Sequence, residues 1–303
     1  TCLRRRRTSC WVYRKRDGFL VRPPQPDPQG NYISGGYQGM CYVTEHWERW
    51  IDIFQAMRDQ RGAKRNDLWI NLTCYVNPSP WFLQWGNSVW MQNSQDIGRL
   101  NVKRPSQLDQ LLSYRDDRYF DFVKTRAFQF PLAHLYNHDP IYGNTANLAG
   151  KMDDDEFRTY LMMMATRGSA FWELYYSYNM MNEGQKWVIN ADVLHWINDN
   201  YETLKHAKLI GQTPAKGTPY GYSAWSGQEG IISVRNPSDE VKEFTFPLDR
   251  TIGMPEGLKG LHRTYVWAYR TDEQKAEDTE NHLFDYGGQI SLSLQPGEVR
   301  IWK

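Results

Sequence analysis

The segment from Trp81 to Gly98, WFLQWGNSVWMQNSQDIG, sets three tryptophans, Trp81, Trp85 and Trp90, beside Asn93, Ser94 and a single carboxylate, Asp96. Those residue types suit carbohydrate chemistry. A pyranose offers an apolar C–H face that packs on an indole ring, and cleaving a glycosidic bond calls for carboxyl groups to protonate the leaving oxygen and attack the anomeric carbon. Taken singly, each tryptophan is equally well explained as core, and it is their crowding around Asp96 that favours a site. Farther along, FPLAHLYNHDP supplies His134, Tyr136, His138 and Asp139, and GSAFWELYYS supplies Trp172 and Glu173. The chain shows neither a glycine-rich phosphate loop nor a GxSxG nucleophile elbow. Cys2, Cys10, Cys41 and Cys74 show no zinc spacing. Asp153, Asp154, Asp155 and Glu156 could suggest calcium, but read better as an acidic helix start.

These residues need a scaffold, and the pattern predicts one of alternating strands and helices. Tyr42 to Gln60 places Trp47, Trp50, Ile51, Phe54 and Met57 at helical spacing. Leu68 to Tyr75, Val89 to Gln92, Ala127 to Tyr136 and Ala170 to Tyr176 read as strands, with helices at Asp153 to Arg167 and Ala191 to Lys205. Repeated strand and helix argue for parallel β/α architecture, whose sites lie at the C-terminal strand ends. Past Lys208 the texture changes. Glycine and proline turns separate short β-rich runs at Ile231–Arg235, Val241–Phe246, Tyr265–Tyr269, Ile290–Leu294 and Val299–Trp302, predicting an antiparallel β-sandwich.

Thirteen Trp, nineteen Tyr and twelve Phe make the 303 residues 15 % aromatic, which marks a globular rather than a disordered chain. The formal net charge is +1, yet TCLRRRRTSCWVYRKR at the N-terminus holds seven basic residues and no acid. Removing those seven from 36 leaves 29 against 35 acidic residues, a body of net charge −6. No aromatic-interleaved basic surface follows the arm, so no nucleic-acid partner is expected. No run of residues is long and apolar enough to span a membrane. The sequon Asn71-Leu72-Thr73 falls on a predicted strand, where glycosylation is not expected.

The segment Tyr13-Arg14-Lys15-Arg16-Asp17-Gly18-Phe19 resembles the strand-four motif of clan D α-glycosidases, a Lys-x-Asp core whose Asp is the nucleophile. The ordered set Leu68–Tyr75, VWMQNSQDIG, FPLAHLYNHDP and GSAFWELYYS resembles barrel strands five to eight of glycoside hydrolase family 36, in the α-galactosidase-like, enterotoxin-like branch of gut bacteria, and LQPGEVRIW resembles that family's C-terminal domain. The resemblance implies a basic arm at 1–16, the C-terminal half of a (β/α)8 TIM barrel (strands four to eight) at 17–207, and an antiparallel β-sandwich domain at 208–303. It implies a retaining exo-α-glycosidase acting on terminal α-linked galactose or N-acetylgalactosamine, secreted or periplasmic in its full-length form. Asp17 would be the nucleophile, with Lys15 keeping it ionised, and Asp96 the general acid/base, although strict alignment places Asn93 at that position. Asp139 or Glu173 would be the next carboxylate to consider. Trp81, Trp85, Trp90 and Trp172 would stack on sugar, and Asn93, His134, His138 and Asp139 would bind it. No metal or organic cofactor is implied, and no oligomeric state. The rival reading is a non-catalytic carbohydrate-binding or scaffold remnant, and an inverting or unrelated barrel hydrolase is a third. A chain of this extent is expected to be inactive alone, with a β-sandwich that folds more independently than the rest.

Overall fold

The computed structural model describes residues 12–17, 40–62, 68–73, 78–91, 94–95, 98, 100, 106–128, 130–144, 152–271 and 283–303, and for 12–17, 40–46 and 62 the backbone alone. They belong to two compact units, 1–92 and 93–303. Among the described residues no helix is long and apolar enough to cross a membrane.

In the first unit β1 (Val12–Asp17) pairs in parallel with β2 (Leu68–Thr73), Lys15 opposite Asn71 and Asp17 opposite Thr73. β3 (Ser88–Trp90) joins β2 in parallel through Asn71 and Leu72. Parallel strands need a crossover, and α1 (Met40–Gly62) supplies it between β1 and β2, burying Trp47 and Phe54. Leu68, Ile70 and Leu72 are buried on alternate positions of β2, and Trp69, Asn71 and Thr73 take the other face. Gly86 fits here because a Cβ would meet the Leu72 side chain at 2.5 Å.

In the second unit Ser106 opens α2 (Gln107–Phe120) by accepting from the Asp109 backbone N–H at 3.1 Å, and Leu108, Leu111, Leu112 and Tyr119 form its buried face. The sequence pattern did not reveal this helix. The strand expected over Ala127–Tyr136 is instead a 3-10 turn, Leu132–His134, running into a two-residue β4 (Leu135–Tyr136). Pro131 lacks the N–H a ladder needs. β5 (Ile141–Tyr142) pairs in parallel with β6 (Tyr175–Tyr176), all that is regular of the expected Ala170–Tyr176 strand, though backbone bonds from Ala170 to Ala133, Glu173 to Asp139 and Tyr175 to Pro140 keep the two segments side by side.

The acidic run is a helix start. Asp153 caps α3 (Asp154–Thr166) in a reciprocal capping box with Glu156, and the helix ends at Gly168, φ +75°, where a Cβ would lie 2.1 Å from the Leu204 carbonyl. After a single-turn α4 (Tyr178–Met181), α5 (Lys186–Leu204) begins five residues before the predicted Ala191. Asp154 explains the early start, because its carboxylate accepts from the Gln185 N–H at 2.9 Å and pairs with Lys186 Nζ at 3.1 Å.

From Lys208 the chain is antiparallel. β7 (Lys208–Gly211), β8 (Tyr220–Ser226), β9 (Glu229–Arg235), β11 (Tyr265–Tyr269) and β13 (Val299–Trp302) form one sheet in the order β11-β13-β9-β8-β7, and β10 (Lys242–Pro247) pairs with β12 (Gln289–Leu294) in a second. Ile232, Val234 and Trp302 of the larger sheet share a core with Phe244, Phe246, Ile290 and Leu292 of the smaller, as two facing sheets must. The opposite face of β8 and β9 turns to the helices. Tyr220 and Tyr222 donate to Asp116 of α2, Arg235 pairs with Asp109 at 2.9 Å, and Ser233 donates to Thr166 of α3. The compact unit therefore begins at residue 93 and runs on through residue 208.

Burial of these tyrosines has a consequence in alkali. Desolvation pushes the Tyr119 phenol from 10 to about 12, and desolvation, then the Asp116 charge, raises Tyr222 well above its ordinary value. The unfolded chain gives up these protons first, so the stability they contribute is complete below about pH 10 and is lost as pH rises through the folded values. Unfolding is expected to set in between about pH 10 and 12, with tyrosinate absorbance and loss of helical circular dichroism moving together. Tyrosinate appearing in full while the helical signal stays intact would contradict it.

Candidate active site

The proposed nucleophile ends its strand. Asp17 is the last residue of β1, two positions beyond Lys15, in register with Thr73 and Asn71 of β2. Asn71 is fully buried, and its side-chain carbonyl accepts from Trp69 Nε1 at 2.8 Å and from Ser88. The sequon asparagine is thus occupied inside the sheet.

The expected stacking tryptophans separate into two environments. Trp81 sits on a 3-10 turn, Pro80–Gln84, capped by Ser79 at its start and followed by Trp85 at its end, and both tryptophans pack with Trp47 and Phe82 in one aromatic cluster. Trp81 lies 4.8 Å edge-on from Trp47 and 4.4 Å from Trp85. Trp81 keeps 41 % of its surface exposed, so part of the side chain is open to solvent. Arg58 donates to the Trp85 carbonyl at 2.7 Å and holds the turn to α1. Trp90, in contrast, is buried within β3.

Asn93 and Asp96 lie outside the described residues, as do the side chains of Lys15 and Asp17. Nearby, Ser94, Gln95 and Gly98 are described, and they are fastened. Arg115 of α2 donates to Ser94 and to the Gln95 carbonyl at 3.0 Å, the Gln95 N–H donates to Tyr114 Oη at 3.1 Å, and Gly98 lies against the Tyr114 ring so closely that a Cβ would overlap it. The same Arg115 guanidinium reaches Asn137 at 3.2 Å and grips Asp139 through Nε at 2.8 Å and Nη2 at 3.3 Å. One planar fork therefore ties the segment around Asp96 to the turn that follows β4.

That turn holds the remaining candidates. Asp139 also receives Arg167 at 3.4 Å, so both its oxygens are engaged by buried guanidiniums and it acts as an anchor. His138 Nδ1 meets the Glu173 carboxylate, and Tyr175 Oη lies 3.1 Å from that carboxylate and 3.2 Å from His138 Nδ1. A carboxylate, an imidazole and a phenol thus converge at the edge of the β5–β6 pair; Trp172, the residue before Glu173, is half-buried. His134 closes the 3-10 turn before β4. Such a trio can bind hydroxyls and pass a proton. Tyr175 and Arg115 escaped the sequence reading because nothing local marks them. The Ser106-x-x-Asp109 pair before a leucine-rich run could have revealed α2, and with it Arg115.

No family model and no curated protein sequence matches the chain. Solved structures do. The α-galactosidase I of Mortierella vinacea superposes with a TM-score of 0.50 at 14 % identity, over 96 % of this chain and 66 % of that one. The shared feature is the fold. A family 27 β-L-arabinopyranosidase from Geobacillus stearothermophilus (TM-score 0.46, 12 % identity, 83 % of this chain and 53 % of that one) and a maltogenic α-amylase, AmyB, from Thermotoga neapolitana (0.45, 12 %, 94 % and 72 %) are also similar. The chain spans just under two thirds of the α-galactosidase and about half of the arabinopyranosidase. Its structural neighbours are thus glycoside hydrolases, family 27 enzymes among them.

Proposed function

We propose that this chain carries the catalytic residues of a retaining exo-α-glycosidase of the α-galactosidase-like type, with terminal α-linked galactose or N-acetylgalactosamine as substrate. The observation that carries the reading is the α-galactosidase fold likeness over nearly the whole chain. Two local features support it. β1 stops at Asp17 in a parallel sheet, and Arg115 fastens the residues before Asp96 to Asp139. In this reading residues 17–207 supply strands four to eight of a (β/α)8 barrel, and 208–303 form its β-sandwich.

Asp17 attacks the anomeric carbon, Lys15 keeps it ionised, and Asp96 first protonates the leaving oxygen and then activates water. The exposed part of Trp81, together with Trp85, Trp172 and Asn93, receives the sugar, and His138 with Glu173 orients a hydroxyl. The mechanism needs no metal or cofactor, and the full-length protein acts in the periplasm or outside a bacterial cell. A non-catalytic carbohydrate-binding role is the second reading, favoured by the burial of Trp90 and the double engagement of Asp139.

Hydrolysis of p-nitrophenyl α-galactoside and its N-acetylgalactosaminide, β-galactoside and α-glucoside counterparts separates these readings. Turnover of an α-galactoside-type substrate by a full-length version, with the α-anomer as first-formed sugar, is expected. Release of the β-anomer would sink the retaining assignment, and binding without turnover would favour the remnant.

A further inference from the structure

We propose that an open cleft where helix α5 passes into strand β7 binds a phosphate or sulfate monoester carried by a small organic ring. The cleft has a volume of about 340 Å³, inside the range of about 300–1,000 Å³ that small-molecule sites occupy. Three segments line it: the turn Asp121–Thr125 that continues α2, the Pro131 turn before β4, and the chain from Lys205 to Leu209 that leaves α5 and enters β7. Leu132 precedes β4 and Asp139 follows it, so the cleft lies at the other end of that strand from the candidate active site and takes none of its residues. In parallel β/α folds the chemistry is done where strands end, so a ligand at the end where they begin is held rather than turned over.

The lining combines two chemistries. Val123 and Pro131 offer accessible apolar surface, with Phe130 and Leu132 buried next to them in the chain. Lys124, Lys205, His206 and Lys208 are basic, and among the described residues no carboxylate lines the cleft. Lys124 and Lys208 carry the selectivity. Lys124 is exposed, and among the described residues no carboxylate pairs with it. Lys208 is exposed as well, and its ammonium uses one of three N–H donors on the Arg250 carbonyl at 3.3 Å, which anchors it and leaves two for a ligand. Lys205 contributes less, because Glu202 pairs with it at 2.6 Å, and the same carboxylate lies in the field of His206. Other acids near in sequence are engaged, Asp121 by Arg126 at 2.9 Å and Asp249 by the Thr251 N–H at 2.7 Å. Ammonium groups only donate, so the ligand must present acceptors, and two point charges from separate elements suit a tetrahedral oxyanion with diverging oxygens better than a flat carboxylate. The apolar surface beside them selects an ester over the free ion, which would leave that surface wetted. This inference stands apart from the glycosidase reading.

The test titrates the 303-residue chain with phenyl phosphate and phenyl sulfate, with phenol, with inorganic phosphate and sulfate, and with heparin, by calorimetry and ligand-observed NMR at about 0.15 M salt. At least one ester is expected to bind about tenfold or more tightly than phenol and than its own inorganic anion, and the ranking of the two esters tells which oxyanion the cleft takes. Lys124→Gln and Lys208→Gln, both at exposed positions, should each weaken that ester about fivefold or more, and Val123→Glu, which sets a carboxylate in the cleft, should abolish its binding. Circular dichroism establishes that each variant is folded. None of the probes is a galactoside, so the result is independent of whether the glycosidase reading holds. An ester bound no more tightly than phenol or the inorganic anion, an affinity that none of the variants changes, binding of heparin alone, or no binding of any probe overturns the proposal.

Discussion

With the proposed roles, Asp17→Asn and Asp96→Asn are each expected to remove most turnover from the full-length protein, by different routes. The first deletes the nucleophile, so no glycosyl-enzyme forms and activity falls to background on every leaving group. The second deletes the proton donor, a loss of about 10²–10⁴ that falls on poor leaving groups and largely spares activated aryl glycosides. Azide separates the two further. With Asp17→Gly it replaces the nucleophile in a single displacement and gives a glycosyl azide of inverted configuration, whereas with Asp96→Gly it intercepts the covalent intermediate and gives the retained one. Near-normal kcat for Asp96→Asn on an unactivated substrate would move the acid/base role to Glu173, which His138 and Tyr175 already orient.

Replacing Asp116 by alanine is expected to cost the 93–303 unit about 3–5 kcal/mol, a large share of a typical domain stability of about 5–15 kcal/mol. Asp116 is fully buried on α2 and accepts from Arg167 Nε at 2.7 Å, Tyr220 at 2.5 Å and Tyr222 at 2.7 Å. Burial alone disfavours the Arg167 charge, and the Asp116 carboxylate, together with the Tyr222, Asp139 and Tyr119 oxygens, more than offsets it, holding Arg167 well above its ordinary pKa. Without Asp116 a guanidinium and two phenols are left in the interior with their chief acceptor gone. The double variant Asp116→Leu with Arg167→Met should recover part of the loss, since an apolar pair of similar volume needs no solvation. Urea unfolding followed by circular dichroism measures both. A change below about 1 kcal/mol in the single variant would mean that water replaces the carboxylate and that the network does not join sheet to helix.

The same network marks where local pattern stops being informative. Period and composition were enough to find α1, α3 and α5, the core of β2, and the runs that became β9 to β13, because each buries one face whose spacing is visible in ten or twenty residues. Val299–Trp302 matches residue for residue, and the acidic start of α3 has the cap its letters imply. The stretch Ala127–Tyr136 misled because its aromatic and apolar residues are packed by neighbours as a turn around Pro131. Helix α2 was hidden because its buried face carries Asp109, Arg115 and Asp116, charges that read as solvent-facing until tertiary partners neutralise them.

At the candidate site the sequence alone determined the chemistry on offer, carboxylates among aromatic rings at the ends of parallel strands. Which of those groups are available was decided by tertiary structure. Trp90 is sealed in its strand, Asp139 is held by Arg115 and Arg167, and Glu173 is joined by His138 and by Tyr175, thirty-seven residues from that histidine. The reason is physical. A residue type fixes which bonds a side chain can make, but the partner that takes them up is chosen by a chain fold that brings distant segments together, and no spacing within one segment encodes that choice.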